Sequence, residues 1–357
     1  MRIVCSRRFL LGCIAAVGAL LVSGAFTLAQ TPSPALLILE KSDNTLAIVD
    51  PASLKILARV PVGQDPHEVV ASSDGKLAYI SNYGGLDSAL NTISVVDLIT
   101  QKPLAPINLG ALHSAHGLAY AGGELYFTAE TNKVIGRYDT ASQKIDWVLG
   151  TGQDRTHMVE VSESLVHIFT SNVSSGTISI IEQESLANAG YGPPPGGARK
   201  TWHVTNVPSG PGPEGFDVSA DGKEIWAANA QDGTVTVIDI ASKRAIETFP
   251  ISVKGANRLK FTRDGKRALV SGLGGGPGSN GGGPNLVVLD VATHKEIKQF
   301  ELGGGSAGIL ITPDGSHAFV AVSAKDKVAV IDLKNLEVSG QIPTGKQPDG
   351  LAWAQRN

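Results

Sequence analysis

The chain has 357 residues, of which 42% are hydrophobic, 18% charged and 5% aromatic, with 42 glycines and 19 prolines. A formal charge of −3 without a basic run argues against nucleic acid or an anionic membrane as partner. The glycine and proline content favours many short strands joined by tight turns over long helices.

A leader comes first. Arg2, Arg7 and Arg8 form a basic head, an apolar run extends from Phe9 to Leu28, and Thr27-Leu28-Ala29 offers small residues for cleavage. Residues 1–29 therefore read as a signal peptide, 30–34 as a short polar linker, and 35–357 as one domain. Ser6-Arg7-Arg8-Phe9-Leu10 resembles a twin-arginine export motif. The expected location is periplasmic or secreted, with no membrane attachment once the leader is removed. Both cysteines, Cys5 and Cys13, fall in the leader, so the mature chain has no disulfide, no thiolate metal ligand and no cysteine nucleophile. Its formal charge becomes −6, because three arginines leave with no acid.

An alternating strand ending in an acidic residue then recurs seven times, from Leu46-Ala47-Ile48-Val49-Asp50 to Val328-Ala329-Val330-Ile331-Asp332. The terminal residues are Asp50, Asp97, Asp139, Glu182, Asp239, Asp290 and Asp332, at intervals of 47, 42, 43, 57, 51 and 42 residues. Their side chains suit a local role, bonding backbone N–H groups of the following turn. Interleaved with them are hairpin turns at Asp74-Gly75, Asp221-Gly222, Asp264-Gly265 and Asp314-Gly315, each followed by an apolar strand. The third and fourth repeats carry Gly122-Gly123 and Ser162-Glu163-Ser164 instead. Four strands in about 45 residues is the signature of a propeller blade, so the spacing predicts an all-β, seven-bladed β-propeller of four-stranded antiparallel blades. Tyr79, Tyr126, Trp226 and Phe319 on the second strands are expected in the core between blades.

Leu77–Asn82, Thr92–Asp97 and Arg59-Val60-Pro61-Val62-Gly63 resemble the YVTN-type β-propeller repeat family, over residues 35–354. The resemblance implies seven blades and an extracytoplasmic location, and it implies no single activity.

The ends of the chain predict how the ring closes. Ala35–Glu40 reads as a second strand lacking its inner partner, and Pro348-Asp349-Gly350-Leu351-Ala352-Trp353 reads as an inner strand lacking the rest of its blade. The C-terminal strand is therefore expected to complete blade 1. Insertions at 185–213 and 273–284 interrupt the repeat. Gly274-Gly275-Gly276 lacks the lysine and the following helix of a phosphate-binding loop and is read as a surface loop.

All inner strands of a propeller begin at one mouth of the central channel. Aligning their starts puts Asp349, His67, His116, His157, Glu214, Asn257 and Ala307 in one ring. His67, His116 and His157 fall on consecutive blades, flanked by carboxylates. That donor set suits a divalent transition metal, and three imidazoles with a free position would activate water. The same residues serve equally as polar lining or as a metal-free binding site. Arg258, next to Asn257, is read as an ion-pair partner of a neighbouring acid or as a bidentate clamp for a substrate carboxylate. His113, His167, His203, His294 and His317 have no aligned partners and are read as structural or surface residues.

The leading functional expectation is a monomeric binding module that takes a small molecule or protein at the mouth through His67, His116, His157, Glu214, Asn257, Arg258 and Asp349. Seven-bladed lactonases and related lyases are similar in architecture and place His, Glu and Arg at the same mouth. That resemblance implies His157, Glu214 and Arg258 as base, acid and clamp. A third expectation is a periplasmic redox or copper-associated role, since some propellers of this superfamily hold copper.

Overall fold

Alternation of apolar and small residues between Asp-Gly turns produces one sheet per repeat. The computed structural model describes residues 31–85, 88–185, 200–274 and 283–356. Residues 1–29, read above as a leader, the Pro/Gly stretch at 192–197 and residues 275–282 of the Gly-rich insertion lie outside these residues. Seven antiparallel sheets follow one another around a ring, each in the order inner, second, third and outer strand. In blade 2 the outer strand is split into Lys102–Pro103 and Ile107–Asn108, both paired to the third strand. Pro103 and Pro106 supply no amide N–H for a continuous ladder there.

Closure occurs as the sequence implies. Pro348–Ala354 pairs antiparallel with Ala35–Glu40, so one blade is built from both ends of the chain and no sheet edge is left open at the seam. Beyond this strand, Arg356 donates to the carbonyl of Thr31, and its backbone N–H donates to Ser33 Oγ.

The second strands lie mid-sheet and are sandwiched between neighbouring blades. Tyr79, Tyr126, Trp226 and Phe319 are accordingly 4% exposed or less. Each apolar cluster spans two blades: Leu37, Leu39 and Ile48 of blade 1 pack with Val69, Ile80 and Val96 of blade 2. Fully burying one such side chain contributes roughly 1.5–3 kcal/mol, so the ring is held by contacts that no single blade could make.

The acids ending the third strands act locally. Asp50, Asp139 and Asp332 each accept backbone N–H groups two or three residues onward. Glu182 does not: its strand continues to Ser185, and its longer carboxylate pairs with His167 and Lys243.

A recurring irregularity positions the channel mouth. Most inner strands carry a register shift just after their second residue, as between Thr156 and Val159 or between Ala256 and Leu259. Hydroxyls of the second strands stitch the shifted backbone to the next blade. Thr128 accepts the Gly117 N–H and donates to the His157 carbonyl at 2.7 Å. Ser171 likewise links Met158 to the Glu214 carbonyl, and Ser271 links Arg258 to the Ala307 carbonyl. The blades approach so closely here that a Cβ on Gly117 would lie 2.5 Å from His157 O, and one on Gly350 equally near His67 O. Only glycine leaves that space.

Candidate functional site

His67, His116, His157, Glu214, Asn257 and Asp349 are each the second residue of an inner strand, so the strand geometry brings them to one rim. Ala307 occupies the equivalent position ahead of a shortened strand, Ile309–Ile311, preceded by Gly303-Gly304-Gly305. A cavity of about 920 Å³ opens inside this rim. Its two sides differ. Blades 2 to 5 present His67, His116, His157, Arg155 and Glu214, whereas blades 6 and 7 present Gly255, Gly274, Gly303, Gly304, Gly305 and Ala307 together with Asn257, Arg258, Glu301 and Lys325. The result is a histidine-lined wall facing a glycine-rich bay that carries charged groups at its edge.

The three imidazoles form a continuous arc. Ring centroids of His67 and His116 are 4.5 Å apart, and those of His116 and His157 are 3.7 Å apart. His157 faces a carboxylate at each nitrogen: Nδ1 lies 2.5 Å from Glu130 Oε1, and Nε2 lies 2.9 Å from Glu214 Oε2. The second contact is close but poorly aligned for a hydrogen bond. His116 is 2% exposed, and its Nδ1 has no hydrogen-bond partner.

These surroundings drive the two rings in opposite directions. Burial, reinforced by the neighbouring imidazole of His157, holds His116 well below the ordinary histidine range. Burial acts the same way on His157, but its contacts with Glu130 and Glu214 outweigh burial and raise its pKa. Burial alone would raise Glu214, yet His157 and Arg155 bring it down to about 2, and Glu130 is lowered for similar reasons.

Several groups at this site leave no mark in the repeat alignment. Glu130 begins a single 3-10 turn, Glu130–Asn132, just beyond the second strand of blade 3. Its Oε2 accepts the Tyr83 hydroxyl at 2.7 Å and faces Arg155 Nε at 3.6 Å. Arg155 Nη1 also reaches Glu214 Oε1 at 3.3 Å. Tyr83 and Glu130 each follow the residue that pairs with the first inner-strand position, and in blade 1 that slot holds Lys41. Aligning this slot would have brought Lys41, Tyr83 and Glu130 together on three consecutive blades, whereas blades 4 to 6 carry Val173, Ala230 and Leu273 there. Lys41 Nζ is 3.6 Å from both Asp65 and Asp349, and Asp349 is 3.7 Å from His67 Nδ1.

Arg258 is turned inward. Its guanidinium donates to Glu68 Oε1 at 2.5 Å and to Asn257 Oδ1 at 3.2 Å, leaving the residue 6% exposed. The ion-pair reading of Arg258 describes this arrangement, and a clamp would have to break it. Deeper in the channel, Lys260 bonds Asp217 at 2.7 Å beside Glu160. Of the unaligned histidines, His167, His294 and His317 bond side chains on the blade surfaces, and His113 faces the Ala89 carbonyl. His203 is exposed.

Among the described residues, one group of potential metal ligands brings its donor atoms within 4.8 Å of one another: His116, Glu130 and His157. His67 stands beside this group. Among the same residues no helix is long and apolar enough to cross a membrane.

No protein-family model and no curated protein matches the chain. Solved structures do. A functionally unknown protein from Desulfotomaculum acetoxidans DSM 771 aligns with a TM-score of 0.70 at 12% identity, covering 90% of this chain and 99% of that one. Kuenenia stuttgartiensis hydrazine synthase aligns at 0.64 and 19% identity, over 82% and 91% of the two chains. Dihydro-heme d1 dehydrogenase NirN in complex with DHE aligns at 0.62 and 16% identity, over 89% and 74%. Likeness at such identities extends to architecture alone, and that architecture is the seven-bladed β-propeller.

Proposed function

We propose that the protein is an extracytoplasmic binding module that seats a small polar molecule in the channel mouth. One observation carries this reading: a cavity of about 920 Å³ whose histidine-lined wall faces a glycine-rich bay edged by Arg258, Glu301 and Lys325. That volume suits a metabolite-sized ligand, and convergent polar groups on rigid strands would orient it. The resemblance to YVTN-type repeats and the leader at residues 1–29 support the compartment. A thermal-shift screen of sugar acids, dicarboxylates, lactones and amines tests the reading. A hit should be weakened at least tenfold by Glu214→Gln or Arg155→Ala. Hits indifferent to both substitutions would place the ligand elsewhere.

A second reading, an enzyme acting on lactone-like molecules, is favoured by the unequal histidines. His157, flanked by two carboxylates, holds its proton and is suited to donate it, while burial keeps His116 neutral beside it. In that reading Arg155, which is half exposed, is better placed as the clamp than Arg258. Turnover in a lactone panel, lost in His157→Gln, would separate it from simple binding.

A further inference from the structure

The geometry points to a divalent transition-metal site formed by His116, His157 and Glu130, with His67 outside the ligand set. This goes beyond the small-molecule reading and does not depend on it.

The argument begins with the cost of the arrangement. His116 is buried with an Nδ1 that has no partner among the described residues, and an orphaned buried polar atom is destabilising. Two imidazoles are packed at 3.7 Å with a carboxylate 2.5 Å from one of them. A cation lying among these donors would engage the orphaned nitrogen and replace the proton shared between His157 Nδ1 and Glu130 Oε1. Two imidazole nitrogens and one carboxylate oxygen form a set that zinc, copper or non-haem iron accepts.

The surrounding residues match what such ligands require. A metal-bound histidine usually turns its other nitrogen toward a carboxylate, which fixes the ring. Glu214 Oε2 stands 2.9 Å from His157 Nε2, on the side away from Glu130. A ligating carboxylate is in turn held at its second oxygen, and Tyr83 donates to Glu130 Oε2 at 2.7 Å. His116 and His157 project from inner strands whose backbones are locked together by Thr128. The donors are therefore preorganised on adjacent blades, and the cavity leaves coordination positions for water or a ligand.

His67 differs from the other two. Its nitrogens face Asp65 Oδ2 at 3.3 Å, and Lys41 Nζ at 3.5 Å with Asp349 beyond. A cationic ammonium beside Nδ1 opposes a second cation there.

The test uses protein purified without chelator or histidine tag, stripped of metal, then titrated with Zn²⁺, Cu²⁺ and Co²⁺. Binding of about one equivalent per chain is expected, with a Co²⁺ visible spectrum of low coordination number. Glu130→Gln, which keeps an acceptor for Tyr83, should abolish binding, as should His116→Ala. Glu214→Gln should weaken it by about 10–100-fold. His67→Ala should leave it within about threefold. Should His116→Ala fail to fold, Glu130→Gln decides alone. No binding by the unmodified protein, unchanged binding in Glu130→Gln, or binding lost in His67→Ala would each overturn the assignment.

Discussion

Glu68 on the inner strand of blade 2 and Arg258 on the inner strand of blade 6 meet inside the channel, with Oε1 and Nη2 2.5 Å apart. Their side chains are 14% and 8% exposed, so the pair bridges opposite sides of the ring just beneath the polar rim. Removing one partner of such a pair strands a buried charge. Arg258→Ala should therefore cost about 3–5 kcal/mol in denaturant unfolding. The double variant Glu68→Leu with Arg258→Met should recover much of that loss. Equal destabilisation by single and double variants would show that the pair contributes through shape and not charge.

Closure of the ring by Pro348–Ala354 makes a short truncation disproportionately damaging. A chain ending at Thr344 loses that inner strand and bares the edge of Ala35–Glu40. Its thermal transition should broaden or vanish, and it should aggregate through the opened edge. A sharp transition at the original temperature would contradict the contribution assigned to the seam.

Gly117 permits the close approach of blades 3 and 4. Gly117→Ala would place a methyl carbon 2.5 Å from the His157 carbonyl oxygen, forcing the backbone of a ligand residue to move. Overpacking of this kind costs about 1–3 kcal/mol. Metal or ligand affinity should fall in the same variant, whereas Gly123→Ala, where nothing lies within 4 Å of the added carbon, should leave affinity unaltered despite its strained φ. Chemical denaturation together with metal titration reads both effects.

Glu160 predicts a pH dependence of stability. Burial, with Asp217 nearby, pushes its pKa from 4.5 up to about 8. Between those values the unfolded chain gives up a proton that the folded chain retains. Its contribution is therefore fully present below about pH 4.5 and is lost as the pH rises towards 8. Glu160→Gln keeps the neutral form at every pH and should flatten the decline of unfolding free energy across that window. An unchanged pH profile would mean that Glu160 ionises normally beside Lys260.

Much of this molecule was legible because a repeat converts spacing into position. His157, Glu214 and Asn257 each precede a second-strand end by 15 residues, His67 precedes by the same interval Asn82, where pairing with the inner strand ends, and each is second in its inner strand. His116 shares the placement despite a shorter hairpin, which tightens only the far end of the blade. Glu130 and Arg155 were hidden for a physical reason, since they lie just outside strands where alternation carries no information, and Tyr83 lies one residue past the last pairing of its strand with the inner strand. Arg155 also takes a left-handed conformation, φ 57°, as do Asp65, Ser114 and Gln347 at equivalent positions. Non-glycine residues give no warning of that geometry. The partner of Arg258 was illegible too, because Glu68 lies 190 residues earlier and their meeting depends on the width of the ring.

The seam has a practical corollary. Its inner strand starts at the mouth with Pro348 and Asp349 and finishes at Ala354, beside the residues that open blade 1. Gln355 then lies against the Asp74-Gly75 turn of blade 2, at the far end of the channel. A tag or surface linker joined after Arg356 would thus hold the ring from behind, with its opening turned toward solution.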